Sequence, residues 1–303
     1  MIGLGSENFH ARSREDMSAL GKTITRLQSQ VATGQRIERA SEDPAAAARL
    51  RSIARTEKLA QVDTANVTRA RTDLTLADDA LQRIALIVLE ARDVAVRAGG
   101  AGLSDKDRGH LATEVEGLRE NLLALANTRD ADDAALFGGG APGPAYAESG
   151  VDATYAGIAD AREIEVAPGE TIATAPPGPA LFNLAGADGP TDLFAVLGNL
   201  AFGLRTGGDA AAEATQTALA NLDTGLGVVT TQQAAIGSRL ATLDLTSERA
   251  ADTAIARAQE RSAIGDTDLA ETIARLQQTM TVLEASQASF VRLSDLSLFK
   301  LLR

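Results

Sequence analysis

Two histidines are the residues of this sequence best suited to proton transfer or metal binding near neutral pH. His10 lies in a polar N-terminal stretch, and His110 lies near the start of a helical pattern in the first half of the chain. Neither has a second histidine at the spacing of a metal site, and the sequence contains no cysteine. We therefore interpret both histidines as surface residues.

Two short segments match ligand-binding motifs only in part. Residues 137–140, Phe-Gly-Gly-Gly, have the glycines of a phosphate-binding loop, but no Gly-Lys-Ser/Thr follows, so we interpret them as a hinge between domains. Asp130, Asp132 and Asp133 lack the glycine and the distal glutamate of a calcium-binding loop, and they fit a solvated helix end better. The sequence therefore predicts no enzyme activity, no cofactor and no metal.

The formal net charge of -12 argues against a nucleic-acid ligand, because phosphate binding needs a basic surface. Residues 1–60 carry ten Lys/Arg and seven Asp/Glu, whereas residues 137–200 carry one Arg and eight Asp/Glu. The basic residues near the first loop have no aromatic residues between them, so a nucleic-acid patch is the weaker alternative. We expect these residues to pair with acidic groups of neighbouring subunits: Arg36, Arg39, Arg49, Arg51 and Arg55.

The sequence has no segment that resembles a membrane span. The best apolar run, residues 84–89, is far shorter than the roughly 18 apolar residues needed and ends at Glu90. Residues 1–16 lack the apolar core and the cleavage site of a secretory signal. We expect no membrane span and, if the protein leaves the cell, export without a cleaved signal peptide.

The elements that would position any site are long helices with a coiled-coil pattern. Apolar residues from Val67 to Ala95 recur at alternating spacings of three and four, and residues 219–243 repeat this pattern in the second half. Each apolar row needs a partner, so we predict an antiparallel helical rod. The predicted rod core consists of Val67, Leu74, Leu81, Ile84, Val88, Leu111, Val115, Leu118, Leu122, Leu222, Leu226, Val229, Ile236, Leu240 and Leu243.

Start and stop signals divide the chain. Asp43 and Pro44 predict the start of a long helix, and Gly99 and Gly100 predict its end. We predict a mainly α fold, with a long antiparallel coiled-coil rod, helical terminal tails and a small inserted β-rich domain. The predicted segments are 1–42 (N-terminal tail helix), 43–136 (long helix and returning helix), 137–190 (acidic β-rich insert), 191–260 (returning rod helices) and 261–303 (C-terminal tail helix).

The middle of the chain differs in composition from its two ends. Residues 141–190 contain all but one of the eight prolines. Alternating patterns predict short strands at 154–156, 162–166 and 171–173, with a turn at Pro168 and Gly169 between the last two. These strands are the basis of the predicted insert.

The two tails carry apolar stripes that are too sparse to fold alone. Ordering about 40 residues costs on the order of 40–80 kcal/mol of backbone entropy. Burial of the five apolar stripe residues of the N-terminal tail returns only about 8–15 kcal/mol. We therefore predict that the tails fold against each other or against neighbouring subunits. The predicted assembly interface consists of Leu20, Ile24, Leu27, Val31, Ile37, Leu269, Ile273, Leu276, Met280, Leu283, Phe290, Leu296, Leu298 and Phe299.

The sequence resembles the flagellin superfamily at both ends. Residues 30–37, Gln-Val-Ala-Thr-Gly-Gln-Arg-Ile, and 41–44, Ser-Glu-Asp-Pro, resemble the family segment QxxTGxRI…SDDP. The final Asp-Pro pair resembles the hook-filament junction branch, since flagellins usually have Asp-Ala there. Residues 285–299 resemble the ASQ…F…LSLF ending of that branch, and residues 162–170 resemble one of its strand-turn segments, whereas the last four residues, Lys-Leu-Leu-Arg, depart from it.

The resemblance implies a non-enzymatic structural adaptor of the bacterial flagellum that joins the hook to the filament. It implies tails in the inner coiled-coil layers of a tube, long helices outside them and an insert that projects outward. The implied partners are further copies of the chain, a neighbouring hook-associated protein, flagellin, and the flagellar export chaperone and type III export apparatus. The implied location is the extracellular flagellum. Two alternatives stay open: flagellin, the bulk filament subunit, and a soluble coiled-coil binding module.

Overall fold

The computed structural model of the chain describes residues 3–100, 102–130, 132–149, 152–186 and 189–301. These residues form two compact units. The first unit combines Met1–Leu59 with Asp252–Arg303, and the second is Ala60–Ala251. The predicted mainly α fold with a small strand-containing region is confirmed. The first unit contains the predicted tails and also takes in residues 43–59 and 252–260 of the long helices.

The described residues form seven helices. The long helix predicted between Asp43 and Gly99 begins at Pro44 and ends at Ala98, and Asp43 caps it by accepting a hydrogen bond from the Ala46 N–H at 3.0 Å. The helices are α1 (Gly3–Thr33), α2 (Pro44–Ala98), α3 (Asp105–Ala126), α4 (Gly178–Phe182), α5 (Leu193–Thr206), α6 (Gly208–Gly265) and α7 (Leu269–Leu301).

The first helix is longer than the apolar row from Leu20 to Val31 alone would indicate. It begins at Gly3 and includes the polar stretch before Leu20. The reason is its pairing with α7, seen for example where the rings of His10 and Phe290 meet edge to face at 5.2 Å. Contacts with a distant segment therefore extend a helix that its own sequence favours only weakly.

In the second unit, α2 and α6 run antiparallel. Arg71 pairs with Asp244 at 2.6 Å and Arg92 with Asp223 at 2.7 Å, so residue numbers rise along one helix as they fall along the other. The α2 row from Val67 to Ala95 is buried throughout. The structure places all the predicted rod-core residues in the buried class except two on α6, Leu226 and Leu240, which are half-buried.

The strands that the structure describes in the insert form three separate antiparallel pairs. Three of these six strands were not predicted. The predicted strands at 154–156, 162–166 and 171–173 correspond to β2, β3 and β4, and Gly169 occupies the predicted turn with a φ of 78°. The pairs are β1 (Tyr146–Ser149) with β2 (Asp152–Tyr155), β3 (Glu163–Ala167) with β4 (Glu170–Ala173), and β5 (Asn183–Gly186) with β6 (Gly189–Asp192).

A cluster of aromatic rings packs beneath these strands. The Tyr146 ring is 5.2 Å from that of Phe182 and 5.0 Å from that of Phe194, and the Phe137 and Phe182 rings meet at a right angle. Gly178 permits this packing, because a Cβ there would lie 2.6 Å from the Tyr146 ring. Five of the nine Phe and Tyr residues of the sequence, Phe137, Tyr146, Tyr155, Phe182 and Phe194, are thus gathered in one cluster.

Residues 137–140 form a packed turn, which corrects their interpretation as a hinge. Phe137 is fully buried, and Gly139 has a φ of 64°. A Cβ at Gly139 would lie 2.1 Å from the carbonyl oxygen of Ile158. The glycines are therefore explained by close backbone packing rather than by flexibility.

A charged cluster joins α2 to the insert. The Asp130 carboxylate accepts hydrogen bonds from the N–H groups of Asp132 and Ala134, both at 2.9 Å, and pairs with Arg162 at 2.6 Å. The prediction of a solvated helix end is wrong for Asp130, whose side chain is only 4% exposed, whereas the side chains of Asp132 and Asp133 are exposed as predicted. Asp73 of α2 is buried beside it, and burial, with the charge of Asp130 next, raises the pKa of Asp73.

Replacement of Asp73 by asparagine is expected to stabilise the second unit at pH 7. Folding raises the pKa of Asp73, so the protein loses stability as the pH rises through this folded pKa and the buried carboxyl group becomes charged. Asparagine does not ionise, so the variant avoids this loss. The thermal midpoint of Asp73→Asn should therefore exceed that of the wild type at pH 7, and the difference should vanish near pH 3, where both side chains are neutral. Asp79→Asn, at an exposed position of the same helix, is the matched control. A midpoint for Asp73→Asn that is lower at every pH would contradict this account.

Candidate assembly interface

Helix α1, which carries most of the predicted N-terminal interface residues, packs against α7 in the first unit. Leu27 is 7% exposed. Leu20, Ile24 and Val31 are half-buried, and Ile37 in the following loop is half-buried as well. This row therefore has contacts within the chain and also retains some accessible surface.

The predicted row of α7 divides into two sides. Leu276, Leu283 and Phe290 are half-buried, whereas Ile273 and Met280 are 41% and 42% exposed. The exposed side also includes Leu269, at 49%. Two further exposed apolar residues of α7, Val282 and Val291, lie outside the predicted pattern. The side chains of Leu296, Leu298 and Phe299 lie outside the described residues.

The segment that resembles the flagellin family forms a corner between the α1–α2 loop and the α6–α7 turn. The N–H of Arg36 donates to the Gly265 carbonyl at 2.7 Å, and the N–H of Thr267 donates to the Gly34 carbonyl at 2.9 Å. The Arg36 guanidinium also donates to the Ile264 carbonyl at 3.0 Å. These bonds tie the two chain reversals together, so the motif has a structural role that the spacing of its residues did not reveal.

The α1–α2 loop is held in shape by its own side chains. Glu42 accepts hydrogen bonds from the N–H groups of Glu38, at 3.0 Å, and Arg39, at 3.4 Å. The first of these bonds is the main cause that lowers the pKa of Glu42. Gln30 donates to the Arg36 carbonyl at 2.7 Å. The corner is therefore preorganised and keeps a negative charge at neutral pH.

Within the first unit, α2 and α6 are joined mostly by charge pairs. Arg49 binds Glu260 with two hydrogen bonds of 2.6 and 2.9 Å, and Arg261 pairs with Glu57 at 3.2 Å. In the part of α2 that belongs to this unit, Ile53 is the buried residue, at 3% exposed. Arg49 thus uses its charge inside the chain, which corrects its assignment to contacts with neighbouring subunits; Arg36 likewise pairs with Asp43.

Nothing in the described part of the chain groups side chains for metal chemistry. Across residues 3–301 with the gaps given above, no three or more His, Cys, Asp or Glu side chains are placed to hold a metal ion. Across the same residues, no helix is both long and apolar enough to cross a membrane. The features that stand out are the terminal helix pair, its exposed apolar side and the corner.

Comparison with known proteins defines the class. Residues 9–141 match the family model of the bacterial flagellin N-terminal helical region, which identifies a flagellin-like protein. The chain is 31% identical over 294 residues to flagellar hook-associated protein 3 of Escherichia coli K12, and the match covers 90% of both chains. The chain belongs to the family of flagellar hook-associated protein 3.

Solved structures show the same fold. A structure described as a putative flagellar hook-associated protein from Vibrio parahaemolyticus superposes with a TM-score of 0.69 at 19% identity, covering 74% of this chain and all of that one (100%). The flagellar junction protein FlgL from Legionella pneumophila superposes with a TM-score of 0.59 at 17% identity, covering 72% of this chain and 99% of that one.

Proposed function

We propose that this protein is a structural adaptor that joins the flagellar hook to the filament and carries out no catalysis. The family membership supports this role, because the E. coli relative is named a hook-associated protein and the Legionella neighbour a junction protein. The bulk filament subunit, flagellin, is not favoured over this function. The single structural observation that carries the proposal is the exposed apolar side of α7.

That exposed side gives the terminal helices a reason to assemble. Ile273 and Met280 lie 41% and 42% exposed on a helix whose other apolar side already packs on α1. Full burial of a large apolar side chain contributes about 1.5–3 kcal/mol. An assembly repeats this contact in every copy, so the total stabilisation of the assembly grows with the number of copies. The partners that fit are further copies of the chain, a neighbouring hook-associated protein on the hook side and flagellin on the filament side.

The route to the assembly is part of the same proposal. We propose that the chain reaches the extracellular flagellum through the flagellar type III export apparatus, accompanied by an export chaperone and without a cleaved signal peptide. The membership of a flagellar family supports this route. In the assembled state, the terminal tails lie inside the assembly and the strand-containing insert lies outside.

Negative-stain microscopy with a labelled copy tests the role. An epitope placed at the exposed Pro168-Gly169 turn avoids the helices and the corner. Gold label is expected in one narrow band between hook and filament. Label along the whole filament would instead indicate a flagellin, and flagella without label would contradict the proposal. Wild-type motility of the tagged strain is the control for a functional tagged protein.

A further inference from the structure

One face of α2 in the first unit is basic and forms no ion pair with the described residues. Arg51, Arg55 and Lys58 are spaced by four and three residues, so they share one helix face, and all three are exposed. None of the three has an ion-pair partner among the residues that the structure describes. Beside them Leu59 is 59% exposed. The face thus combines three unpaired cations with an apolar side chain.

The corner contains a cavity whose charged lining includes more carboxyl groups than arginines. Its volume is about 470 Å³, and its lining includes the apolar side chains of Leu27 and Ile37. Five carboxyl groups and three arginines surround it. Two of these arginines are already paired, Arg36 with an aspartate at 3.3 Å and Arg275 with a glutamate at 2.6 Å.

The other three carboxylates of this corner cavity form no ion pair with the residues that the structure describes, although Arg26 also lines the cavity and its charge acts on Glu42. Glu42 and Asp268 accept hydrogen bonds from backbone N–H groups, and Asp266 accepts one from the Ser262 hydroxyl. These donors are uncharged, so they orient the carboxylates without neutralising them. Anionic groups around an apolar lining are complementary to the basic face of α2, whose cations surround Leu59.

We propose that the basic face of α2 in one copy docks into the corner cavity of a second copy, with Leu59 against the apolar lining and the cations at the carboxylates. The inference rests on the proposed function, since it names the surfaces through which copies of the chain meet. Because the two surfaces are different parts of the same unit, the contact is head-to-tail. Such a contact produces rings or helices rather than closed dimers.

Disulfide trapping in purified flagella tests this contact directly. The chain has no cysteine, so introduced thiols have no internal competitor. The double variant Arg55→Cys with Glu271→Cys is expected to give a ladder of cross-linked copies under mild oxidation. Each single variant, and the double variant Arg55→Cys with Gln278→Cys, should stay monomeric on the gel; residue 278 is also exposed on α7 but does not line the cavity.

A charge exchange provides the second test. Arg55→Glu is expected to reduce the number of copies per flagellum about tenfold, equivalent to about 1.4 kcal/mol, and Asp266→Arg in the same chain should restore incorporation. No ladder and no rescue in a strain whose labelled protein still lies between hook and filament would overturn the docking inference alone. Loss of the label from the flagellum in the wild-type background would contradict the proposed function instead.

Discussion

Replacement of both Ile273 and Met280 by aspartate is expected to abolish incorporation of the protein into flagella and to leave cells non-motile. Both side chains are partly accessible in the single chain, at 41% and 42% exposed, so the folded chain loses less packing than at a fully buried position. In an assembly that buries them, each aspartate brings an unpaired charge into an apolar contact, which costs several kcal/mol. Immunoblots of purified flagella and a swimming assay measure the loss.

The control for this prediction is Gln278→Asp on the same helix. Residue 278 is exposed, and the substitution adds one negative charge, where the double variant adds two, on a different side of α7. It should retain motility and incorporation. Near-normal amounts of the double aspartate variant in flagella would show that the exposed side of α7 makes no essential contact. A helical circular dichroism spectrum like that of the wild type would exclude misfolding as the cause of any loss.

The second large effect is expected from Leu81→Ala in the core of the second unit. Leu81 is fully buried on α2, and its truncation leaves a cavity that neighbouring helices fill only partly. The free energy of unfolding should fall by about 3–5 kcal/mol. Denaturant titration followed by circular dichroism measures this change.

Leu86→Ala is the matched control for the core substitution. Leu86 lies on the same helix but is 64% exposed. Its truncation should change the free energy of unfolding by no more than about 0.5 kcal/mol. Equal losses for the two variants would mean that the alternating three-and-four spacing does not identify the packed side of α2.

The elements that the sequence predicted well are those with local signals. The long helix α2 begins at Pro44 and ends at Ala98, because a capping aspartate and a glycine pair mark these positions. The apolar spacing of α2 also selects buried residues, since a coiled-coil row must face another helix. Such features depend on the nearest residues and need no knowledge of distant ones.

The missed features depend on contacts between distant residues. β5 and β6 contain Asn, Gly, Pro and Asp, which disfavour strands, yet Leu184 is buried at 4% exposure and the two segments pair. The end of α3 at Ala126 is fixed by Asn127, whose side chain exchanges hydrogen bonds of 3.0 and 2.9 Å with the backbone of Tyr146. In both cases the contact joins residues that are apart in sequence, so the local sequence of either segment does not predict it.

The same limit applies to the candidate interface. A heptad pattern identifies the apolar residues of α7, but it does not tell which of them pack on α1 and which stay exposed. The role of Arg36 in joining the two chain reversals was also hidden, because its acceptor at Ile264 lies far away in sequence. The three-dimensional arrangement supplied both answers.

The charge pairs between α2 and α6 in the first unit make that stretch sensitive to its medium. Arg49 and Arg261 are 56% and 55% exposed, so dissolved ions reach and shield their attraction to the opposite carboxylates. The shielding distance falls from about 8 Å at 0.15 M salt to about 3 Å at 1 M. The contribution of these pairs to the α2–α6 contact is therefore small, and it falls further as the ionic strength of the surrounding medium rises.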